Sequence, residues 1–107
     1  MGPTPDFAVQ VTGLESLHPV VRIHGEIDFA TAPEMADGVA SVLAHDPLDL
    51  VLDLTHAPFM DCSGVSIIVR ARNHLPDESR VVLRHPTPLI RKVLTILALD
   101  TEVVIEE

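Results

Sequence analysis

Small polar side chains lie between two apolar runs in the segment FMDCSGVSII, residues 59–68. Ser63 carries a hydroxyl that could attack a substrate, cap a helix or accept a phosphate. A hydrolase nucleophile would need the elbow G-x-S-x-G, and Asp61 and Val65 stand where that elbow has glycines. Two interpretations therefore remain: Ser63 serves only as the N-cap of the following helix, or its hydroxyl is modified reversibly. A phosphate there would add roughly −1.5 to −2 charges beside Asp61.

Other reactive side chains are few. Cys62 and His56 could form a thiolate pair, but a lone cysteine among apolar residues is more typical of a small buried side chain. His24, His56 and His85 each follow a predicted strand and could bind a metal at one edge of a sheet. They lack paired spacing such as H-x-x-x-H, and the chain has no phosphate-binding G-K-[ST] loop. We therefore expect no cofactor and no metal.

Composition excludes several classes of function. The chain has 107 residues, which is the size of one domain, and its net charge of −9 opposes binding to nucleic acid or to an anionic membrane. It has no Trp or Tyr for base stacking, and no apolar run approaches the roughly 18 residues of a membrane span. Its single cysteine cannot form an internal disulfide. We expect a cytoplasmic protein whose partner presents a basic surface.

Hydrophobic periodicity predicts alternating strands and helices. Thr31 and Glu34 fit a capping box at the start of the first helix, and Thr87-Pro88 fits the start of the third. The second helix follows Gly64 and stops before Pro76. The predicted strands are 7–11, 20–27, 49–54, 80–85 and 101–107, and the predicted helices are 31–44, 64–75 and 88–97.

This order predicts an α/β fold with a mostly parallel mixed sheet of about five strands, in the order β-β-α-β-α-β-α-β. Right-handed crossovers connect the parallel strands, and the first strand is expected to be antiparallel at an edge. Functional residues in such sheets gather beyond the carboxyl ends of the strands. Those ends carry residues 25–28, 56–63 and 85–87.

Two segments, GEIDFATA at 25–32 and LVLDLTHAPFMDCSGVSII at 50–68, resemble the STAS-domain anti-sigma factor antagonists of bacteria. The resemblance covers residues 7–106 in element order, and D-x-S-G after an apolar pair is its most specific part. It implies a binding protein that is not an enzyme. Cys62, Val65 and Ser66 depart from the family pattern, but none of them removes the acceptor hydroxyl.

The resemblance implies that the unphosphorylated protein binds an anti-sigma factor that is also a serine kinase, which frees a sigma factor. Phosphorylation of Ser63 would abolish binding, and a phosphoserine phosphatase would reset it. The alternative is a STAS scaffold or adaptor module that binds its partner constitutively and in which Ser63 is only a cap. The expected partner-binding residues are Asp28, Phe29, Thr31, Met60, Asp61, Cys62, Ser63, Gly64 and Ser66.

The resemblance also bears on the ends of the chain. Family members usually continue past the last strand into a further helix, whereas this sequence ends at Glu107. That leaves open how the last face of the sheet is covered. We expect one domain over residues 1–107 with a disordered tail at 1–6, and a monomer or weak homodimer.

Overall fold

A computed structural model describes residues 6–107 of the chain. Its strands and helices follow the predicted order. They are β1 Ala8–Thr12, β2 Val20–His24, α1 Ala32–Leu43, β3 Asp49–His56, α2 Cys62–His74, β4 Arg80–Arg84, α3 Pro88–Ile96 and β5 Val104–Glu106. No helix in this part of the chain is both long and apolar enough to cross a membrane.

The sheet has the strand order β1-β2-β3-β4-β5. β1 pairs with β2 in the antiparallel sense at one edge, and every later pair is parallel, so the predicted fold class is confirmed. Because each parallel strand is added on the same side of the one before it, right-handed crossovers place α1, α2 and α3 on one face of the sheet.

The hydrophobic core lies between that face and the helices. β2 and β3 direct alternate side chains into it, among them Ile23 and Leu52, both fully buried. α1 packs closely on the sheet, since a Cβ added at Gly38 would approach Val9 Cγ1 to 2.7 Å. One contiguous core therefore fixes the helices against the strands.

The side chains of alternate parity point away from the helices and form what we call the outer face. Short and long residues alternate on it, with valines and ion pairs in separate rows across the strands. Limited to the three rows that cross β2 to β5, the outer face consists of Val20, Arg22, Asp49, Val51, Asp53, Arg80, Val82, Arg84, Val104 and Glu106.

Three local expectations change. The strand predicted for 20–27 ends at His24, because Gly25 adopts φ +108°, and a Cβ there would lie 2.5 Å from the carbonyl oxygen of Asp6. Asp6 thus belongs to the ordered structure, while the rest of the predicted tail, residues 1–5, lies outside the described residues. The last strand is also shorter than predicted.

The capping box at Thr31 and Glu34 is wrong. Thr31 occupies the N-cap position of α1, but its side chain makes no capping hydrogen bond. It is buried instead, where its hydroxyl donates to the Glu26 carbonyl at 2.8 Å and accepts from the Asp28 amide at 2.9 Å. The Thr87 cap of α3 is confirmed, since its hydroxyl accepts from the Ile90 amide at 3.3 Å.

Candidate functional site

The loops that follow β2 and β3 are joined by backbone hydrogen bonds. The Ile27 amide donates to the Phe59 carbonyl at 2.9 Å, and the Asp61 amide donates back to the Ile27 carbonyl at 3.0 Å. Ile27 and Met60 thereby form an isolated parallel bridge beyond the ends of both strands. Since the next residue of each loop is an aspartate, this bridge brings the segments of Asp28 and Asp61 side by side.

Asp61 begins α2. Its backbone is extended, and its Oδ1 accepts from the Ser63 amide at 2.8 Å. Its carbonyl accepts from the amides of Gly64 and Val65, at 3.1 and 3.2 Å. Asp61 therefore accepts from the Ser63 and Gly64 amides, two of the four that usually lack partners at a helix start, and its own amide, a third, donates to Ile27.

Ser63 is not the N-cap of α2. It is the second residue of the helix, so the interpretation of Ser63 as a cap is wrong, and the capping side chain is that of Asp61. The Ser63 side chain is half-buried, and its hydroxyl takes part in no hydrogen bond formed among residues 6–107. Three of the four amides at this helix start are occupied, since those of Ser63 and Gly64 donate to Asp61 and that of Asp61 donates to Ile27.

Gly64 lets α2 press against the bridged loops. A Cβ at this position would clash with Met60 Cγ and would lie 2.7 Å from Ile27 Cγ2. Since Met60 and Ile27 are both fully buried, neither can move aside without disturbing the core. Gly64 therefore sets the distance between the start of α2 and the loop that carries Asp28.

Ser63 lines a shallow concavity of about 240 Å³ between the first turns of α1 and α2. Phe29 stands at its edge with 85% of its surface exposed, the largest exposed fraction among the bulky apolar side chains described. Arg70 contributes a cation, and its Nε donates to the Ser66 carbonyl at 3.5 Å. The concavity is lined by Phe29, Ala32, Pro33, Ala36, Ser63, Ser66, Ile67 and Arg70.

Asp28 is held by the turn that precedes α1. Its Oδ1 accepts from the amides of Ala30 and Thr31, at 2.9 and 3.1 Å. The side chain is half-buried, so its carboxylate stays at the surface beside Phe29. Asp28 thus combines a structural role with an accessible negative charge.

The nine predicted site residues divide into two groups. Asp28, Phe29, Asp61, Cys62, Ser63 and Ser66 reach the surface, and the Cys62 thiol is exposed rather than buried as its apolar neighbours suggested. Met60 is 1% exposed and Thr31 7%, and Gly64 is buried as well. We correct their predicted role accordingly: these three position the surface from below and offer a partner no exposed side chain.

The three histidines do not form a metal site. His24 and His56 are register partners on β2 and β3, and their ring centroids lie 5.8 Å apart. His24 Nδ1 lies 3.3 Å from the Asp6 carbonyl oxygen, and His85 pairs through its amide with Glu106. Among residues 6–107 no three His, Cys, Asp or Glu side chains are grouped so that they could hold a metal ion.

Sequence reasoning missed Arg70, a cation on α2 that lines the concavity together with Ser63. Ser63, Ser66 and Arg70 follow the spacing i, i+3, i+7, which places them on one side of a helix. That spacing could have identified Arg70 as a neighbour of the acceptor hydroxyl. The contribution of α1, through Pro33 and Ala36, depends on how the helices pack and left no signal in the sequence.

Comparison with known proteins agrees with this geometry. Residues 8–107 match the model of the STAS domain. The chain is 30% identical over 77 residues to a STAS-domain containing protein of Pseudomonas aeruginosa, covering 71% of this chain and 75% of the relative. It is 26% identical over 81 residues to the anti-sigma-F factor antagonist RsfB of Mycobacterium tuberculosis, covering 76% of this chain and 66% of RsfB.

A solved structure shows the same fold at similar identity. The crystal structure of an anti-sigma factor antagonist from Mycobacterium paratuberculosis superposes with a TM-score of 0.85 and 26% sequence identity. The superposition covers 98% of this chain and 90% of that one. The similarity therefore extends over the whole sheet and all three helices.

Proposed function

Because the chain belongs to the STAS domain family, we propose that it is an anti-sigma factor antagonist switched by phosphorylation of Ser63. Unphosphorylated, it binds an anti-sigma factor that is a serine kinase, and so releases a sigma factor. The phosphorylated form no longer binds, and a phosphoserine phosphatase restores it. Relatives that are named anti-sigma factor antagonists support this proposal.

The observation that carries the proposal is the state of the Ser63 hydroxyl. Asp61 caps α2, so the hydroxyl is not needed to start the helix, and it points from a half-buried position toward the concavity. A kinase can reach such a hydroxyl without unfolding the helix. Ser66, one turn later, is exposed too, but its hydroxyl donates to the Ser63 carbonyl at 2.9 Å.

A phosphate on Ser63 would act mainly by its charge. It would stand two residues from Asp61 and beside the loop that carries Asp28, which makes the start of α2 strongly negative. The amides of the first turn that could offset this charge already bind Asp61. Like charges brought together in an interface cost several kcal/mol, so a partner suited to the unmodified surface would be repelled.

The unmodified surface offers an apolar anchor beside an acceptor. Phe29 is the kind of exposed aromatic side chain that carries binding energy when a partner covers it. Asp28, Cys62 and Ser66 reach the surface at the same two helix starts and add polar groups. The net charge of −9 favours a partner with a basic contact surface.

In this role the protein is a phosphate acceptor and a binding partner, and it catalyses no reaction itself. The kinase supplies ATP and the catalytic groups, and the phosphatase removes the phosphate. We place this exchange in the cytoplasm, where an anti-sigma factor meets its sigma factor. The exchange as proposed requires no cofactor bound to this chain.

The test measures modification and affinity together. The protein is incubated with the anti-sigma factor kinase of its own organism and ATP, and the phosphate is located by mass spectrometry. We expect phosphate on Ser63. Ser63→Ala should bind the kinase like the wild type, whereas Ser63→Asp should bind about tenfold more weakly, because a carboxylate carries part of the phosphate charge.

Ser66→Ala is the matched control, since it removes an exposed hydroxyl on the same helix face. It should still be phosphorylated on Ser63, and phosphorylation should still abolish its binding to the partner. Phosphate on another residue, together with a Ser63→Ala protein that is still switched off by the kinase, would refute the assignment. Equal affinity for wild type, Ser63→Ala and Ser63→Asp would favour the constitutive scaffold or adaptor module instead.

A further inference from the structure

The outer face contains buried valines that do not belong to the core. Val20, Val51, Val82 and Val104 are register partners on four adjacent strands and form a continuous apolar row. Val51 and Val82 are only 7% and 5% exposed, yet they lie outside the contiguous core cluster.

Charged rows flank the valines on both sides. On one side Arg22, Asp53, Arg84 and Glu106 are register partners in that order, so their charges alternate across the sheet. Arg22 Nε lies 3.3 Å from Asp53 Oδ2, and Arg84 Nε lies 2.6 Å from Glu106 Oε1.

On the other side of the valines Asp49 faces Arg80, with Asp49 Oδ2 and Arg80 Nη2 3.0 Å apart. His18 Nδ1 also approaches Asp49 Oδ2, at 3.2 Å. The acid and the base of this row lie on β3 and β4, the same two central strands that carry Asp53 and Arg84.

The two carboxylates of β3, Asp49 and Asp53, are stabilised in their charged form. The hydrogen bond from the Arg80 side chain lowers the pKa of Asp49 below its usual value. Burial by itself would raise the pKa of Asp53, but hydrogen bonds from Thr55 and Arg22 outweigh it and lower that pKa as well. Both groups are therefore ionised throughout the physiological range.

The outer face also differs from the rest of the surface in its charge. Its three arginines are nearly half of the seven basic residues of the chain, and three carboxylates balance them. The whole excess of nine negative charges accordingly lies elsewhere. Two copies of the chain repel each other over most orientations, and much less where two outer faces meet.

We propose that the outer face binds a second copy of this chain, related by a half-turn about an axis that runs along the strands between β3 and β4. This rotation reverses the strand order, so that β2 faces β5 and β3 faces β4 of the second copy, and the charges of the row that begins with Arg22 are reversed with it. Arg22 then lies opposite Glu106 of the second copy, and Asp53 lies opposite its Arg84. Asp49 likewise meets Arg80, and Val20 and Val104, the members of the valine row that reach the surface, lie opposite each other. Every cation faces an acid, which is the self-complementarity that a twofold interface requires.

The size of this surface makes the association weak. Four strands about 4.8 Å apart, with three rows about 6.8 Å apart, cover on the order of 400 Å² on each copy. Stable interfaces bury about 1,200–2,000 Å² in total, roughly twice what two such faces provide. The dimer therefore forms at high concentration, with a dissociation constant on the order of 10⁻⁴ M. The phosphorylation site lies at the edge of the sheet and stays accessible in it.

The test uses charge reversal with rescue. Sedimentation equilibrium of the full chain is measured up to about ten times that dissociation constant. Arg22→Glu alone places two acids opposite each other, and Glu106→Arg alone places two arginines opposite each other, so each variant should associate at least fivefold more weakly. An equimolar mixture of the two restores both contacts and should associate as the wild type does. A melting curve for each variant checks that it is folded.

Arg91→Glu is the control, because Arg91 lies on α3, away from the outer face. Its side chain forms an exposed ion pair with Glu107. It should leave self-association unchanged. A wild type that stays monomeric at the highest concentration overturns the proposal. So does a mixture that associates no better than either variant, because the faces would then not meet in this register.

Discussion

The starts of α1 and α2 are built alike but use their hydroxyls differently. In each, an aspartate follows a bridged loop and accepts from the amide two residues later: Asp28 from Ala30, and Asp61 from Ser63. At α1 the nearby hydroxyl of Thr31 is buried and bonded on both sides. At α2 the hydroxyl of Ser63 is partly exposed and unbonded among the described residues.

Under the proposed function, this difference separates a modification site from a structural one. Because an aspartate side chain accepts from backbone amides at both starts, in the turn before α1 and at the N-cap of α2, neither hydroxyl is needed as that acceptor. Burial then decides their use: the inward hydroxyl supports the loop, and the outward one is available to an enzyme. Substitutions that disturb either start test this division.

The largest expected effect comes from Gly64→Ala, which would push α2 away from the start of α1. The added methyl group meets buried Met60 and Ile27, and overpacking of this kind costs up to about 3 kcal/mol of unfolding free energy. Urea denaturation measures it. Ser66→Ala, exposed on the same helix, should change stability by less than about 0.5 kcal/mol. An equally stable Gly64→Ala protein would show that the two starts are not tightly packed.

A smaller effect is expected from exchanging the two hydroxyls for apolar groups. Thr31→Val leaves the Asp28 amide and the Glu26 carbonyl without their buried partner, at a cost of about 2 kcal/mol. Ser63→Ala should cost less than about 0.5 kcal/mol, since no bond is lost. Thermal melting of both variants measures the difference. Similar losses for the two would contradict the division between structural and available hydroxyls.

The smallest effect is expected for the cap itself. Asp61→Ala removes the acceptor of the Ser63 amide and should cost about 1 kcal/mol. Asp61→Asn keeps an acceptor oxygen and should retain most of the stability, so it separates the hydrogen bond from the charge. If Asp61→Ala proved as stable as the wild type, another group would have to cap α2 in its place.

The order and direction of the strands could be predicted from the sequence because they depend on periodicity and on connection rules that hold along the chain. The choice of capping residue could not be. Thr31 has the right type and spacing, but whether its hydroxyl faces the helix or the interior depends on the loop packed beneath it. The same uncertainty led to Ser63 being considered as the cap of α2, two residues after the actual N-cap Asp61.

Part of the site was also within reach of the sequence. Asp61 and Ser63 were identified from their types, and Arg70 could have been found by helical spacing. Met60 could not be placed, because its burial results from the bridge to Ile27, which pairs two loops distant in sequence. The charge rows of the outer face likewise exist only once the register of four strands is known.

The bridge between the two loops has a kinetic consequence. Ile27, Phe59 and Asp61 are tied by backbone hydrogen bonds, so the surface around Ser63 is already assembled before a partner arrives. Binding then need not order these loops and avoids that entropic cost. A phosphate can change affinity without any folding step. The response time of such a switch is set by the turnover of the enzymes that add and remove the phosphate, and the scaffold itself contributes no delay.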